Sequence, residues 1–267
     1  MNSSQKAKLK LQIVRTLLIL ILPLLFISCS KKKIMIIADE WPQMDAMAAR
    51  LDEYTDYDIQ KAEQDQSDFD LSAFDFVFMY VHKPIVRNAE KAFLDFTNGG
   101  GSLIVLHHGI ASSKMQNPAW LDFLGIELFP RDHHKYPWGV IGQTTHTMVN
   151  LYPGHFITSN GIKYDKTIPF HSEYDTIFHG EYPAFDLPDT EIFLNQRLKN
   201  DQIKVLFGFK SADGSRMQPT SGWYKQSGKG KFFYYQAGHS VADFENPNFI
   251  RVILNTLEWK PDQRITP

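Results

Sequence analysis

Gly99-Gly100-Gly101-Ser102-Leu103-Ile104-Val105-Leu106-His107-His108 is the stretch on which the reading of this chain turns. Three glycines stop the preceding helical pattern, Ile85–Asn98, whose Ala89, Phe93 and Phe96 fall on one face. The run Ser102–Leu106 is apolar without alternation, as expected of a strand covered on both faces in a parallel sheet. Two imidazoles then follow where the strand must end.

Working outward, Lys33–Ala38 reads as a buried first strand, and Pro42 opens a helix with Met44, Met47, Ala48 and Leu51 on its inner face. Tyr57–Ala62 and Phe74–Val81 read as further strands. The order β-α-β-β-α-β predicts an α/β fold with an open, mostly parallel sheet flanked by helices. Asn117–Leu124 reads as a short helix. From Gly139 to Asp186 the chain is rich in Thr, Tyr, Pro and Gly, which predicts an inserted β-rich loop region of antiparallel strands laid over the sheet. Ile192–Leu198, Ile203–Phe209 and Lys231–Ala237 read as strands, and Pro247–Glu258 as a final helix. Gly228-Lys229-Gly230-Lys231 precedes a strand and not a helix, so it reads as a hairpin turn and not a phosphate loop.

The first 28 residues differ from the rest. Lys6, Lys8, Lys10 and Arg15 precede the twelve-residue apolar run Thr16–Ile27, too short to span a bilayer comfortably. The run ends at Ser28-Cys29, which resembles a bacterial lipobox, and Cys29 is the chain's only cysteine. Residues 1–28 are therefore expected to be a lipoprotein signal peptide, with Cys29 lipidated and residues 29–32 a tether. Residues 33–260 then form one domain, and 261–267 a tail. The expected location is the cell envelope, periplasmic or at the cell surface, with membrane contact through the lipid anchor only. The part after residue 28 carries 24 basic against 30 acidic side chains, so no basic surface points to nucleic acid.

Catalytic and binding groups of open α/β sheets gather at the carboxyl ends of the strands. Leu106-His107-His108 and Ala237-Gly238-His239 each follow an apolar strand, so both should open at one rim. Seven of the ten histidines fall in five short clusters; the other three clusters hold His133-His134, His155 and His171. Imidazoles with a carboxylate can exchange protons near neutral pH or bind zinc. Accordingly, His107, Glu173 and His239 are predicted to converge as catalytic residues. His107, His239, His133 and His134 are candidate ligands of a divalent metal, zinc foremost. Glu40 and Trp41, after the first strand, are candidates to line the pocket with His108, His155 and Tyr174. Each of these also has a structural reading as a cap, core or packing residue.

These segments, in this order, resemble the ThuA-like (trehalose utilisation) family, a branch of the class I glutamine-amidotransferase-like fold. The resemblance covers Lys33 to Lys260 and rests on Gly99–His107, Gly154-His155-Phe156-Ile157-Thr158, Ser172-Glu173-Tyr174, Gly228–Lys231, Gly238-His239 and Trp259. Phe156, Ser172 and Lys231 depart from the family's proline, aspartate and arginine, and Ala38–Trp41 lacks the family's common histidine. The resemblance implies a carbohydrate partner and a role in disaccharide utilisation, through isomerisation, elimination or hydrolysis of a keto-sugar or disaccharide derivative. The alternative is a carbohydrate-binding lipoprotein without catalysis. In glutamine amidotransferases the strand-end turn holds a cysteine nucleophile. Here it holds His107, and imidazole forms no thioester, so glutaminase activity is not expected.

Overall fold

The computed structural model describes residues 31–66, 70–174, 177–199 and 201–261. Cys29, the signal-like segment and residues 262–267 lie outside them. In chain order the elements are β1 (Lys33–Ala38), α1 (Pro42–Tyr54), β2 (Asp58–Ala62), β3 (Phe76–Tyr80), α2 (Arg87–Gly99), β4 (Ser102–Leu106), α3 (Pro118–Leu124), β5 (Ile126–Glu127) and β6 (Gly139–Asn150). They continue with α4 (Phe156–Ser159), β7 (Lys166–His171), β8 (His179–Leu194), β9 (Arg197–Leu198), β10 (Lys204–Lys210), β11 (Met217–Ser227), β12 (Gly230–Tyr235), α5 (Val241–Glu245) and α6 (Pro247–Glu258).

Strand parity builds two cores. Ile34, Ile36, Phe78, Ile104 and Phe233 point into one cluster, where α1 contributes Met44, Met47 and Leu51 and α6 contributes Phe249, Ile253 and Leu257. Their neighbours Ile37, Val77, Val105 and Phe232 point to the opposite face, where α2 and α3 supply Phe93, Phe96, Trp120 and Leu124. A strand buried on both faces needs apolar residues at every position, which is why these strands read as unbroken apolar runs.

Ten strands form one mixed sheet in the order β2-β1-β3-β4-β12-β11-β10-β6-β8-β7. The first five strands run parallel, and from β11 onward each pairing is antiparallel. The β-rich region expected to lie over the sheet instead extends it: β6, β8 and β7 form its outer edge. Their exposed amide rows are satisfied by sheet pairing, which a lid of loops could not offer. The predicted strand 192–198 is also split. Asn195 takes a left-handed φ of 64°, which ends β8 at Leu194 and leaves Arg197–Leu198 to pair with β5.

The turn between β11 and β12 is the hairpin expected from Gly228–Lys231, with Ser227 opposite Gly230 and Gly228 at φ 55°. A Cβ on Gly230 would sit 2.1 Å from Thr97 O and 2.2 Å from Gly101 O, so β12 enters the sheet against the backbone of the triple-glycine turn.

Candidate active site

Two parallel neighbours, β4 and β12, end side by side at Leu106 and Tyr235. The residues that follow meet above that end. His107 takes a φ of 35°, a conformation that L-residues adopt at a cost of about 1 kcal/mol or more. Its ring is fully buried. Nδ1 lies 2.6 Å from Gln236 O, and a carbonyl only accepts, so Nδ1 carries the proton. Nε2 is then the ring nitrogen that faces Glu191 and His239.

His239 Nδ1 is 3.2 Å from that Nε2. Glu191 Oε2 is 3.5 Å from His107 Nε2 and 3.4 Å from His239 Nδ1. Glu191 comes from β8, two residues before Phe193, so both side chains leave the same face of the strand. Phe193 stacks on His107 with ring centroids 4.3 Å apart. Its backbone exchanges two hydrogen bonds with the Gln236 side chain, tying the end of β8 to the residue that holds His107. Tyr234 Oη donates to His107 O from below and receives a bond from Gln196.

The His107 imidazole beside Glu191 holds its carboxyl below the usual carboxylate range, against the opposing pull of burial. Burial lowers His239, helped by His107, and burial drives His108 strongly down. Glu191 is thus held ionised beside two imidazoles, His239 and His108, that burial holds uncharged, and metal ligation requires both states. Tetrahedral ligands about 2.0–2.1 Å from a zinc ion stand about 3.3–3.4 Å apart. The three donor atoms form a triangle with sides of 3.2, 3.4 and 3.5 Å, so the residues fit such an ion. His107, His108, Glu191 and His239 together are a group that can hold one. The Gln236 carbonyl on His107 Nδ1 is the kind of outer contact that fixes a ligating imidazole.

The centre opens into a cleft of about 630 Å³. Its walls include Glu40 and Gln43 after β1, His82 after β3, Ser112 after the His107 turn, and Arg131 and Trp138 from the loop before β6. The His82 loop is clamped from two sides. Asp39 accepts from His82 N at 2.7 Å and Lys83 N at 2.9 Å. The buried Lys114 donates to Val81 O, His82 O and Lys83 O at 2.8–3.1 Å. Burial pushes the Lys114 amine down to about 7, with Asp39 pulling the other way.

Of the residues named from sequence, the structure brings together His107, His108, His239 and Glu40. Glu173 is elsewhere. It follows β7 but is held at the start of β11, where Arg216 binds its carboxylate at 2.8–3.1 Å, Met217 N donates at 2.6 Å and Gln218 Nε2 at 3.2 Å. The carboxylate at the centre is Glu191 instead. His133 accepts from Tyr136 N and stacks on Phe129, and His134 packs beside it. The loop after Phe129 does reach the cleft, but through Arg131 and Trp138. His155 caps α4 and packs 5.0 Å from Trp259, whose ring also lies under Lys231 near the start of β12. That is the end of β12 opposite His239. Tyr174 bonds Asn195 through its hydroxyl, and Trp41 packs against the first core cluster. Sequence reading missed Glu191, His82 and Gln236. For Glu191 the one signal was its place two residues before Phe193 in an alternating strand.

A family model described as ThuA, trehalose utilisation, matches residues 31–260. This chain belongs to the ThuA family. No curated protein is similar enough in sequence to match. Among solved structures, a ThuA-like protein from Bacteroides uniformis superposes with a TM-score of 0.62 at 14% identity, over 88% of this chain and 93% of that one. A β-galactosidase from Rahnella sp. R3 gives 0.50 at 12% identity, over 85% of this chain and 31% of that one. At these identities the likeness is one of fold. The ThuA match gives the chain a carbohydrate-related setting, and the Glu191 cluster is a group of side chains that could hold a metal ion.

Proposed function

We propose that this ThuA protein is a metal-dependent enzyme acting on a carbohydrate in the cleft beside Glu191. The observation that carries the reading is the triangle of His107 Nε2, His239 Nδ1 and Glu191 Oε2, sized for one small divalent ion and open on one side. Imidazoles and one carboxylate, with His108 within reach of the same group, favour zinc. When bound there, the ion supplies Lewis-acid polarisation of a sugar carbonyl or hydroxyl. The chain's own residues recognise the rest of the sugar. Trp138 offers an aromatic wall whose buried Nε1 has no hydrogen-bond partner among the described residues, and the same holds for Gln43 Oε1. Ser112 and Arg131 add polar groups. The cleft volume lies within the range of small-molecule sites.

The substrate we favour is a keto-sugar or a disaccharide derivative. A C–H next to a sugar carbonyl is acidic, and isomerisation and elimination both begin with its loss. The test incubates zinc-loaded protein with the 3-keto derivative of trehalose in D2O and follows it by NMR. Deuterium at the carbon next to the carbonyl, or product, is expected, and both should vanish in His239→Ala. Binding of the sugar with neither exchange nor turnover would reject catalysis and leave a carbohydrate-binding protein. We further propose that Cys29 anchors the protein to the envelope by lipid. Fatty-acid labelling should be abolished in Cys29→Ala, and equal labelling of the two would refute the anchor.

A further inference from the structure

Three neighbouring strands, β1, β3 and β4, each release one potential ligand at the same rim: Glu40, His82 and His108. Glu40 Oε1 is 3.1 Å from His82 Nδ1, and its other oxygen, Oε2, is 3.4 Å from His108 Nδ1. The two imidazoles lie face to face, centroids 4.2 Å apart and planes 8° from parallel, so the exposed His82 ring has to turn for both lone pairs to meet at one ion. One carboxylate thus addresses two imidazoles with two different oxygens. The donor atoms of all three residues lie within 4.8 Å of one another.

His108 points independently to a missing partner. The residue is 6% exposed, and its buried Nδ1 makes no hydrogen bond among the described residues, Glu40 Oε2 standing at 3.4 Å. A buried polar atom of this kind costs about 1–3 kcal/mol unless something binds it. The neighbouring loop is also held in place without the help of a ligand. Asp39 takes the His82 and Lys83 amides, and Lys114 takes the carbonyls of Val81, His82 and Lys83. That frame fixes the backbone of His82 while leaving its ring, 57% exposed at the side chain, turned to the cleft.

We infer that Glu40, His82 and His108 form a second divalent-cation site, beside the one made by His107, Glu191 and His239, so that the cleft holds two ions. Nitrogen and carboxylate donors of this kind suit zinc and its first-row neighbours. His108 stands between the groups, since its donor atoms also lie within 4.8 Å of those of His107, Glu191 and His239. A two-ion cleft would grip two oxygens of one substrate at once, a diol or a hydroxy-ketone, where one ion grips a single oxygen. This inference deepens the metal reading of the cleft and rests on it for the neighbouring ion only.

The test strips the full-length protein with chelator, reloads it with Zn²⁺, and counts bound ions by mass spectrometry and calorimetry. His82→Ala and His239→Ala are measured beside the wild type, each checked for folding by circular dichroism. Two ions in the wild type, with one lost from each variant, are expected. One ion lost only in His239→Ala would overturn the second site and leave the first. One ion lost only in His82→Ala would leave the second site and overturn the first. A single ion lost in either variant would mean one shared site and would overturn the inference, as would no bound ion at all.

Discussion

At the residue scale, two glutamates divide the roles that sequence could not separate. Glu173 stood next to an aromatic in a cluster with histidine, which made it conspicuous. Its carboxylate is in fact spent on Arg216 and the Met217 amide. Glu191 fell just outside the strand read as Ile192–Leu198, and only the tie of β8 to Gln236 through Phe193 brings it to His107. We predict that Glu191→Gln loses the metal bound at the centre while changing stability little. Glu173→Gln should keep it but lower stability by about 1–2 kcal/mol, the scale of a partly exposed, charge-assisted contact. Metal counts and urea unfolding of the two variants check this; metal loss in Glu173→Gln would contradict it. His107 and His239 were legible because each follows an apolar run that could only be a buried strand, and parallel strands put such ends together.

At the element scale, the parallel half was readable because β1, β3, β4 and β12 are covered on both faces. β1, β4 and α6 fall where the apolar runs place them. The antiparallel half was not, because a strand that can pair at an edge or cover a face carries the same short alternating pattern until its partner is known. The junction between the halves rests on Gly230, whose Cα leaves no room for a side chain against Thr97 O and Gly101 O. Gly230→Ala must push backbone against backbone, and we predict a loss of at least about 2 kcal/mol, in the range of severe packing defects. A Tm shift under 2 °C would contradict that. Lys114 is the second element-scale device. Lys114→Met keeps length and apolar volume but takes the Lys114 donor from the Val81 and Lys83 carbonyls, while His82 O keeps Ser113 Oγ at 2.6 Å, at about 1–3 kcal/mol. The expected result is a lower unfolding midpoint together with faster hydrogen exchange in residues 82–86. Unchanged exchange would show that the loop does not depend on the clamp.

At the scale of the whole molecule, two buried imidazoles outside the cleft set its response to acid. Burial pushes His146 down to about 3 and His155 down to about 4. In the unfolded chain both bind a proton below about 6.5. Their contribution is therefore complete above that value and is lost as pH falls from about 6.5 through the folded-state values. Each should remove about 2 kcal/mol between pH 7 and pH 5. His146 Nε2 pairs with Ser221 Oγ at 2.7 Å, so His146→Gln keeps a hydrogen-bonding group there. Its stability should fall less steeply over that interval by about the share of one histidine, and an unchanged slope would refute the assignment.

At the same scale stands our central proposal, that the mixed sheet, the strained His107 turn and the end of β8 together bring His107, Glu191 and His239 into position to hold a metal ion at the cleft. The most direct measurement is anomalous diffraction at the zinc edge from crystals of zinc-loaded protein. The account predicts a peak about 2.0–2.2 Å from His107 Nε2, His239 Nδ1 and Glu191 Oε2. Data from the same crystals with no peak within bonding distance of those three atoms would contradict it.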